Sequence, residues 1–308
     1  GGGDDEITLG LITKEEENPF FVTMREVAED VAGDNDVKLL TAAGKSDVDN
    51  ASQVAALADM TREGAKGIMI VPARSRAIVP AIERTRAAGV IVVALDTPTQ
   101  PESAVEALYA TNNRRAGNLI GGYAKAKAEE EAIEPRIAML DLAPGISVGA
   151  LRHDGFLTGF GIQDGDPEIV GQAYAQGDED KARAAMARLL DEDPGINIVY
   201  TINEPTAFGA IDALEDAGRD EDEVIIVSID GSCDAIKDGV RPGKIDATSQ
   251  QYPENMAREG LEAVAGAVRG GPSPSGFLDT GVELITSDPV EGVESEDAAF
   301  GVRNCWGD

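Results

Sequence analysis

The amino-acid sequence is poor in cysteine, histidine and aromatic residues. Its 308 residues include two cysteines, one histidine and one tryptophan, and Phe, Trp and Tyr together account for 4%. Two cysteines are too few, and too poorly spaced, for a zinc site. No stretch approaches the roughly 20 consecutive apolar residues that a membrane helix needs. Hydrophobic residues still make up 42% of the chain, so we expect a core that is mainly aliphatic.

Positive charge is also scarce. The chain has 26 Lys and Arg residues against 57 Asp and Glu residues, which gives a formal net charge of −31. A surface with this charge repels nucleic acid and anionic lipid, so we exclude both as partners. The acidic residues are spread along the whole chain, which is typical of proteins that work at high salt, where self-repulsion is screened. We interpret the sequence as halophilic.

The single histidine limits the enzymatic interpretations. The stretch 145–149 reads Gly-Ile-Ser-Val-Gly and matches the G-x-S-x-G nucleophile elbow. A hydrolase triad takes its histidine from a distant, later loop, whereas His153 lies just beyond Ser147. The first strand is not followed by G-x-G-x-x-G, no Walker A sequence occurs, and no Asp pair continues into a calcium loop. We predict that the protein is not an enzyme and uses neither a metal nor a cofactor.

Strand-like apolar runs alternate with helical patterns along the chain. The runs are 7–12, 37–42, 67–71, 90–95, 136–142, 169–173, 196–202, 223–229 and 245–249, with a further strand-like piece at 281–285 in a tail rich in Gly, Pro and Ser. Strands that are apolar throughout belong in parallel sheets with helices on both faces. We therefore predict an α/β fold made of two doubly wound, Rossmann-like lobes.

The change from one lobe to the next is predicted near Thr111–Asn113. The last third of the chain then has elements left over, so we expect it to cross back. The predicted N-terminal lobe is 7–111 plus about 252–280, and the C-terminal lobe is 112–251 plus about 281–308. A flexible stretch, 1–6, precedes them. Several short crossings make a hinge rather than a tether.

Planar polar side chains follow the ends of the predicted strands, where open α/β sheets bind ligands. Amide and carboxylate groups can bridge neighbouring hydroxyls, and aromatic rings can cover the C–H face of a sugar. Cations are scarce at these positions, which disfavours a phosphate or carboxylate ligand. Each residue can also serve as a helix cap or turn residue, but the same class recurs at six strand ends. The candidates are Asn18, Asp96, Asn113, Asn203, Asp230 and Gln251, with the aromatic Phe20 and Phe21.

At these strand ends the sequence resembles the ribose- and fructose-type periplasmic binding proteins of sugar ABC transporters. The resemblance is nearly full length, and its later segments look most like the fructose-binding branch. It is carried by Asn18-Pro19-Phe20-Phe21, Asp96-Thr97-Pro98, Asn203-Glu204-Pro205, Asp230-Gly231, Gln250-Gln251-Tyr252-Pro253 and the ending Cys305-Trp306-Gly307.

The resemblance implies a type I periplasmic-binding-protein fold, in which two lobes joined by a three-segment hinge close on one monosaccharide. It implies an ABC transporter permease as partner and a monomer that is periplasmic or extracellular, anchored as a lipoprotein. It raises the expectation of a disulfide between Cys233 and Cys305. By position, the ligand-binding residues are Asn18, Asp96, Thr97 and Asn113 from or beside the first lobe, Asn203, Asp230 and Gln251 from the second lobe and hinge, and Phe20 and Phe21 against the ring.

The sequence departs from the ribose-type pattern at three places. Thr97 stands where that pattern has arginine, a second arginine is expected near Ala150, and an aromatic residue is replaced near Glu179. The fructose-like members similarly lack these groups, which favours fructose or another ketose over a ribose-like pentose. Two alternatives stay open. One is a sugar receptor for a sensor kinase, and the other is the effector-binding core of a LacI-type repressor, which the acidic surface opposes.

Overall fold

The computed structural model describes residues 6–219 and 223–307. The chain divides into two compact units, of which the first comprises Gly1–Thr111, Gly145–Val148 and Tyr252–Thr280, and the second Asn112–Pro144, Gly149–Gln251 and Gly281–Asp308. The sequence-based lobe bounds placed 145–148 in the second lobe instead. Apart from Glu6, the predicted flexible stretch 1–6 lies outside the described residues.

Strands and helices alternate along most of the described chain. In chain order they are β1 (Ile7–Thr13), α1 (Pro19–Asp34), β2 (Val37–Ala43), α2 (Asn50–Arg62), β3 (Gly67–Ile70), α3 (Val79–Ala87), β4 (Ile91–Leu95), β5 (Ala107–Ala110), α4 (Asn113–Glu130), β6 (Ile137–Asp141), α5 (Ser147–Phe160), β7 (Ile169–Tyr174), α6 (Glu179–Glu192), β8 (Ile198–Thr201), α7 (Glu204–Asp216), β9 (Ile225–Asp230), β10 (Ala247–Gln250), α8 (Pro253–Val268), β11 (Gly276–Asp279), β12 (Glu283–Thr286), β13 (Glu296–Asp297) and α9 (Ala298–Arg303). None of the described helices is long and apolar enough to span a membrane.

The first unit contains a parallel sheet of six strands in the order β11-β5-β4-β3-β1-β2. The central strands β3 and β4 are almost fully buried because helices cover both faces of the sheet. On one face, Ile68, Ile70 and Val92 pack with Leu57 of α2 and Ile82 of α3. Helices α1 and α8 pack together and α8 covers β3 and β4. The predicted doubly wound arrangement is therefore confirmed in this unit.

The second unit contains a sheet of seven strands in the order β13-β12-β10-β9-β8-β6-β7. The neighbouring strands β7, β6, β8, β9 and β10 run parallel, whereas β12 is antiparallel to β10. One side of its core is aliphatic and includes Leu140, Val199 and Ile226 of the sheet with Met186 of α6 and Leu214 of α7. The tail, predicted to hold one strand, also forms β11, β13 and α9.

Two connections fix strand ends that lie near the candidate residues. In the first unit, the buried Gln53 side chain donates hydrogen bonds to the carbonyls of Thr13 (3.0 Å) and Val71 (2.7 Å), which join the carboxyl ends of β1 and β3. In the second unit, Cys233 and Cys305 form a disulfide, with Cα atoms 4.8 Å apart. This bond ties the tail to the loop after β9.

The histidine lies between two carboxylates in the second unit. His153 Nδ1 is 2.9 Å from Asp141 Oδ1, and Nε2 is 3.0 Å from Asp164 Oδ1. Burial by itself would lower the pKa of the imidazole, but the hydrogen bonds and charges of Asp141 and Asp164 outweigh it and raise the pKa to about 9. The folded protein therefore keeps a proton on His153 at pH values where an unfolded chain, with a pKa near 6.5, has lost it.

We predict that His153 makes stability depend on pH between about 6.5 and 9. Because the folded pKa is raised, the stabilisation is complete below pH 6.5 and is lost as the pH rises through 9, a change of about 1–3 kcal/mol. Urea unfolding at pH 6, 7.5 and 9.5 measures it. The His153→Asn variant, which keeps a polar side chain but does not titrate, should lack this component. The same change in unfolding free energy between pH 6 and pH 9.5 in both proteins would contradict the assignment.

Candidate functional site

In the first unit, Asp96 lies directly after β4 and is buried. Its Oδ2 accepts a hydrogen bond from the Thr97 hydroxyl at 2.6 Å and lies 3.8 Å from the ammonium group of Lys14, a residue that follows β1 and is 2% exposed. The Asp96 backbone N–H donates to Tyr109 at the neighbouring strand β5. A buried carboxylate is thus balanced by a buried cation at the carboxyl edge of the sheet.

The predicted aromatic residues lie beside the same cation. Phe20 and Phe21 are buried in the first turn of α1, with ring centroids 5.4 Å apart in an edge-to-face arrangement. The Lys14 ammonium is 6.0 Å from the centroid of the Phe21 ring, within the range of a cation–π interaction. Lys14 therefore links the predicted residues Asp96, Thr97 and Phe21 into one cluster.

Asn18 and Asn203 serve as helix caps. The Asn18 side chain accepts from the backbone N–H of Phe20 at the start of α1, and the Asn203 side chain accepts from the N–H of Thr206 at the start of α7. Asn203 is 6% exposed, whereas Asn18 is half-buried. The capping bonds use the side-chain oxygens and fix both amide groups at carboxyl ends of strands. The ligand role of these two residues stays a prediction.

In the second unit, Arg152 connects three of the predicted residues. Its Nε donates to Asn113 Oδ1 at 2.9 Å, and its guanidinium lies 3.5 Å from Asp230 Oδ1. The same Asp230 oxygen accepts a hydrogen bond from the side chain of Gln251 at 2.7 Å. Arg152 also donates to the carbonyl of Ile202, just after β8. All of these side chains are buried, so these contacts supply the partners that water cannot.

A second carboxylate, Glu204, lies beside this cluster at the first position of α7. Glu204 is buried, and its Oε1 accepts hydrogen bonds from the backbone N–H groups of Gly231 and Ser232. Burial and, after it, the negative charge of Asp230 raise the pKa of the Glu204 carboxyl well above its usual range. Through these two hydrogen bonds, Glu204 holds the turn that follows Asp230.

The backbone at both predicted aspartates is in an uncommon conformation. Asp96 has a φ of +60° and Asp230 a φ of +139°, a region that residues with a side chain rarely adopt. Such strain persists only where the surrounding structure over-determines it, and it clusters at ligand-binding sites. Asp96 directly follows the buried strand β4 and Asp230 ends the buried strand β9, so the sheet orients both carboxylates.

Sequence reasoning missed Lys14, Arg152 and Glu204. The expectation that cations are scarce at the strand ends is wrong in these two clusters, because Lys14 and Arg152 are buried against the two predicted aspartates. Lys14 carries a signal in the sequence, since it lies two residues after the first apolar run. Arg152 carries none, because it comes from within helix α5, and Glu204 resembles any acidic residue at a helix start.

The clusters suit hydrogen bonding rather than catalysis. Both ring nitrogens of His153 are engaged by carboxylates, so His153 does not act as a base for Ser147, whose backbone N–H donates to the Ser75 hydroxyl. Among the described residues no group of three or more His, Cys, Asp or Glu side chains could hold a metal ion. What remains is a set of oriented carboxylates, amides and cations, as found in a protein that binds a polar ligand.

The fold and these clusters define a binding protein of the α/β class with parallel sheets. The chain belongs to the periplasmic binding protein domain family, which it matches over residues 9–272. The predicted family and fold class are confirmed. Membership also confirms the prediction that the protein is not an enzyme.

Relatives of known name and structure cover most of the chain. The ribose import binding protein RbsB of Bacillus subtilis is 29% identical over 269 residues, which are 87% of this chain and 84% of that protein. The D-allose-binding periplasmic protein of Escherichia coli is 27% identical, over 85% and 84% of the two chains. The periplasmic component of an ABC-type sugar transport system from Hahella chejuensis is 28% identical, with a TM-score of 0.81 over 90% of this chain and 99% of that one. A solute-binding protein from Agrobacterium vitis with bound D-fucose has the same fold, with a TM-score of 0.83 at 22% identity over 97% and 99% of the two chains.

We predict that Arg152 balances the buried charge of the second cluster. The Arg152→Met variant keeps the length of the side chain but leaves Asp230 without its cation, which should cost about 3–5 kcal/mol of unfolding free energy. Adding Asp230→Asn removes the uncompensated charge, so the double variant should recover part of that loss. Denaturant unfolding at pH 7 measures both. A single variant as stable as the parent protein would contradict the assignment.

Proposed function

We propose that this protein captures a monosaccharide, with fructose or another ketose favoured over a ribose-like pentose, and delivers it to the permease of an ABC transporter. The observation that carries the proposal is the same in both units. A buried aspartate at the end of a strand is oriented by its neighbours and balanced by a buried cation of its own unit. Such clusters offer strong hydrogen bonds without a net charge to neutralise, which suits an uncharged ligand rich in hydroxyls.

The proposed ligand-binding residues are those of the two clusters together with the helix caps Asn18 and Asn203. Asp96 and Asp230 accept charge-assisted hydrogen bonds from sugar hydroxyls, and the amides of Asn113 and Gln251 donate and accept. Phe20 and Phe21 offer apolar ring faces to the C–H groups. The full set is Asn18, Phe20, Phe21, Asp96, Thr97, Asn113, Asn203, Asp230 and Gln251, to which we add Lys14 and Arg152. That one sugar is held by both lobes remains the expectation drawn from the resemblance.

Support for a sugar comes from the names of relatives. These include import binding proteins for ribose and D-apiose and binding proteins for D-allose. The choice of a ketose rests on the resemblance: Thr97 stands where the ribose-type pattern has arginine, a second arginine is expected near Ala150, and the fructose-like members similarly lack these groups. The Thr97 hydroxyl is bonded to Asp96, and alanine offers no polar group at all. Shorter side chains take less volume than two arginines, which suits a ligand larger than a pentose.

We further propose that the chain works outside the cytoplasmic membrane as a monomer, anchored as a lipoprotein, in a halophilic organism. The net charge of −31 supports high salt as its working medium. The same charge opposes the alternative of a repressor core, whose partner is an anionic duplex. A receptor for a sensor kinase would use the same sugar site.

We predict that a monosaccharide stabilises the protein against heat. D-fructose, D-ribose and D-allose should each be tested by thermal shift in molar salt. A sugar present at about 100 times its dissociation constant adds about 2.7 kcal/mol of stability. We expect the largest shift with D-fructose. A larger shift with D-ribose would overturn the ketose assignment, and no shift with any neutral sugar would overturn the proposed function.

We predict that Asp96→Asn and Asp230→Asn each weaken sugar binding by at least about 30-fold, because each removes a charge-assisted hydrogen bond while keeping the side-chain volume. Titration calorimetry measures the dissociation constant, and circular dichroism checks the fold. The matched controls are Asp30→Asn and Asp191→Asn, which remove exposed carboxylates from the same two units. Unchanged affinity in both site variants would show that the sugar binds elsewhere.

A further inference from the structure

The last residues of the described chain form a segment with its own anchoring, which we name the C-terminal strap (297–307). It begins with Asp297, whose side chain caps α9 by accepting from the N–H of Phe300. Gly301 of α9 lies against Ile236 and Ile285 of the core, where an added Cβ atom would lie 2.8 Å from Ile285 and 3.1 Å from Ile236. The helical part of the strap is therefore packed on the apolar interior of the second unit.

The end of the strap is bonded to the loop that follows Asp230. Cys305 forms the disulfide with Cys233, which lies three residues after Asp230 in the chain. The backbone carbonyl of Trp306 accepts a hydrogen bond from the N–H of Cys233 at 2.9 Å. Two consecutive strap residues thus hold one loop residue, one through a covalent bond and one through the backbone.

The strap is also bonded to the segment directly after β10, where Gln251 lies. The indole N–H of Trp306 donates to the backbone carbonyl of Gln251 at 2.8 Å, and Trp306 is 4% exposed. One residue earlier, the Gln250 side chain donates to the carbonyls of Gly231 (2.9 Å) and Gly301 (3.1 Å). The strap therefore contacts two segments: the loop after β9, which follows Asp230, and the residues after β10, which include Gln251.

We propose that the C-terminal strap is a positioning element for the Asp230–Gln251 pair, which rests on the proposed function of that pair in binding sugar. The pair is linked twice, through the Gln251 side chain at 2.7 Å and through the Gln251 N–H to the Asp230 carbonyl at 2.8 Å. Asp230 holds a φ of +139°, and a Cβ atom on Gly231 would lie 2.4 Å from the Gln250 side chain. This close, strained turn requires external restraint, and Trp306 and Cys305 supply it.

The positioning role is separable from simple anchoring of the tail. Anchoring needs α9 on the core and the bulk of the indole ring. Positioning needs the indole N–H and the bond to Cys233. The Trp306→Phe variant keeps an aromatic ring and loses the N–H, whereas Asn304→Ala removes an exposed side chain of the same strap that bonds the carbonyl of Phe300. Asn304→Ala is therefore the matched control.

The first test measures affinity by calorimetry with D-fructose, or with D-ribose or D-allose where D-fructose gives no heat. We expect Trp306→Phe to weaken binding about 5-fold, the equivalent of one hydrogen bond, and Asn304→Ala to leave affinity unchanged. Trp306 is the only tryptophan, so its fluorescence should change when the sugar is added to the parent protein. Equal affinity in Trp306→Phe and the parent protein would overturn the proposal.

The second test needs no sugar, so it decides the proposal even where no monosaccharide binds. Hydrogen exchange is compared in the parent protein, Trp306→Phe and the double variant Cys233→Ser with Cys305→Ser. We expect backbone exchange at 228–233 and 249–252 to rise about 10-fold, with no change in β6 of the same unit. Unchanged exchange in these two segments would overturn the proposal, as would an equal rise in β6, because the effect would then be global. No binding of any sugar, with the local rise present, would overturn the proposed function alone.

Discussion

The structure depends on one electrostatic constraint, which is that a carboxylate buried at the end of a parallel strand must be balanced inside its own unit. Asp96 meets it with Lys14 and the Thr97 hydroxyl, and Asp230 with Arg152 and Gln251. An isolated buried charge would cost several kcal/mol. The pairing compensates the charge of both carboxylates and orients them, which suits the proposed binding of hydroxyl groups.

The remaining polar contacts support these pairs through the backbone. In the first unit, Gln53 joins the ends of two strands. In the second, Glu204 accepts two backbone hydrogen bonds in the turn after Asp230, and the disulfide and the Trp306 carbonyl hold Cys233 in the same loop. The site is thus built by elements far apart in the chain, which converge on turns too strained to persist alone. Rigid support of this kind lowers the cost of ordering a site when ligand binds.

Much of the fold can be predicted from the sequence, because apolar runs and helix starts are local patterns. Strands buried on both faces must be apolar throughout, so β3, β4 and β6 stand out as runs separated by helical patterns. The ends of such strands then mark Asp96 and Asp230, and Asn18-Pro19 marks the start of α1. The sequence predicts the elements of the tail less well, because β11, β13 and α9 are short and have little periodicity.

The sequence by itself determined the α/β alternation, the acidic surface and the strand-end positions of the candidate residues, because each follows from local composition and order. Only the tertiary structure decided which side chains meet. Arg152 reaches Asn113 and Asp230 from within a helix, Glu204 lies under the turn after Asp230, and Trp306 lies beside Gln251. Such partners are set by which strands neighbour each other in the sheet, a non-local property that no window of sequence contains.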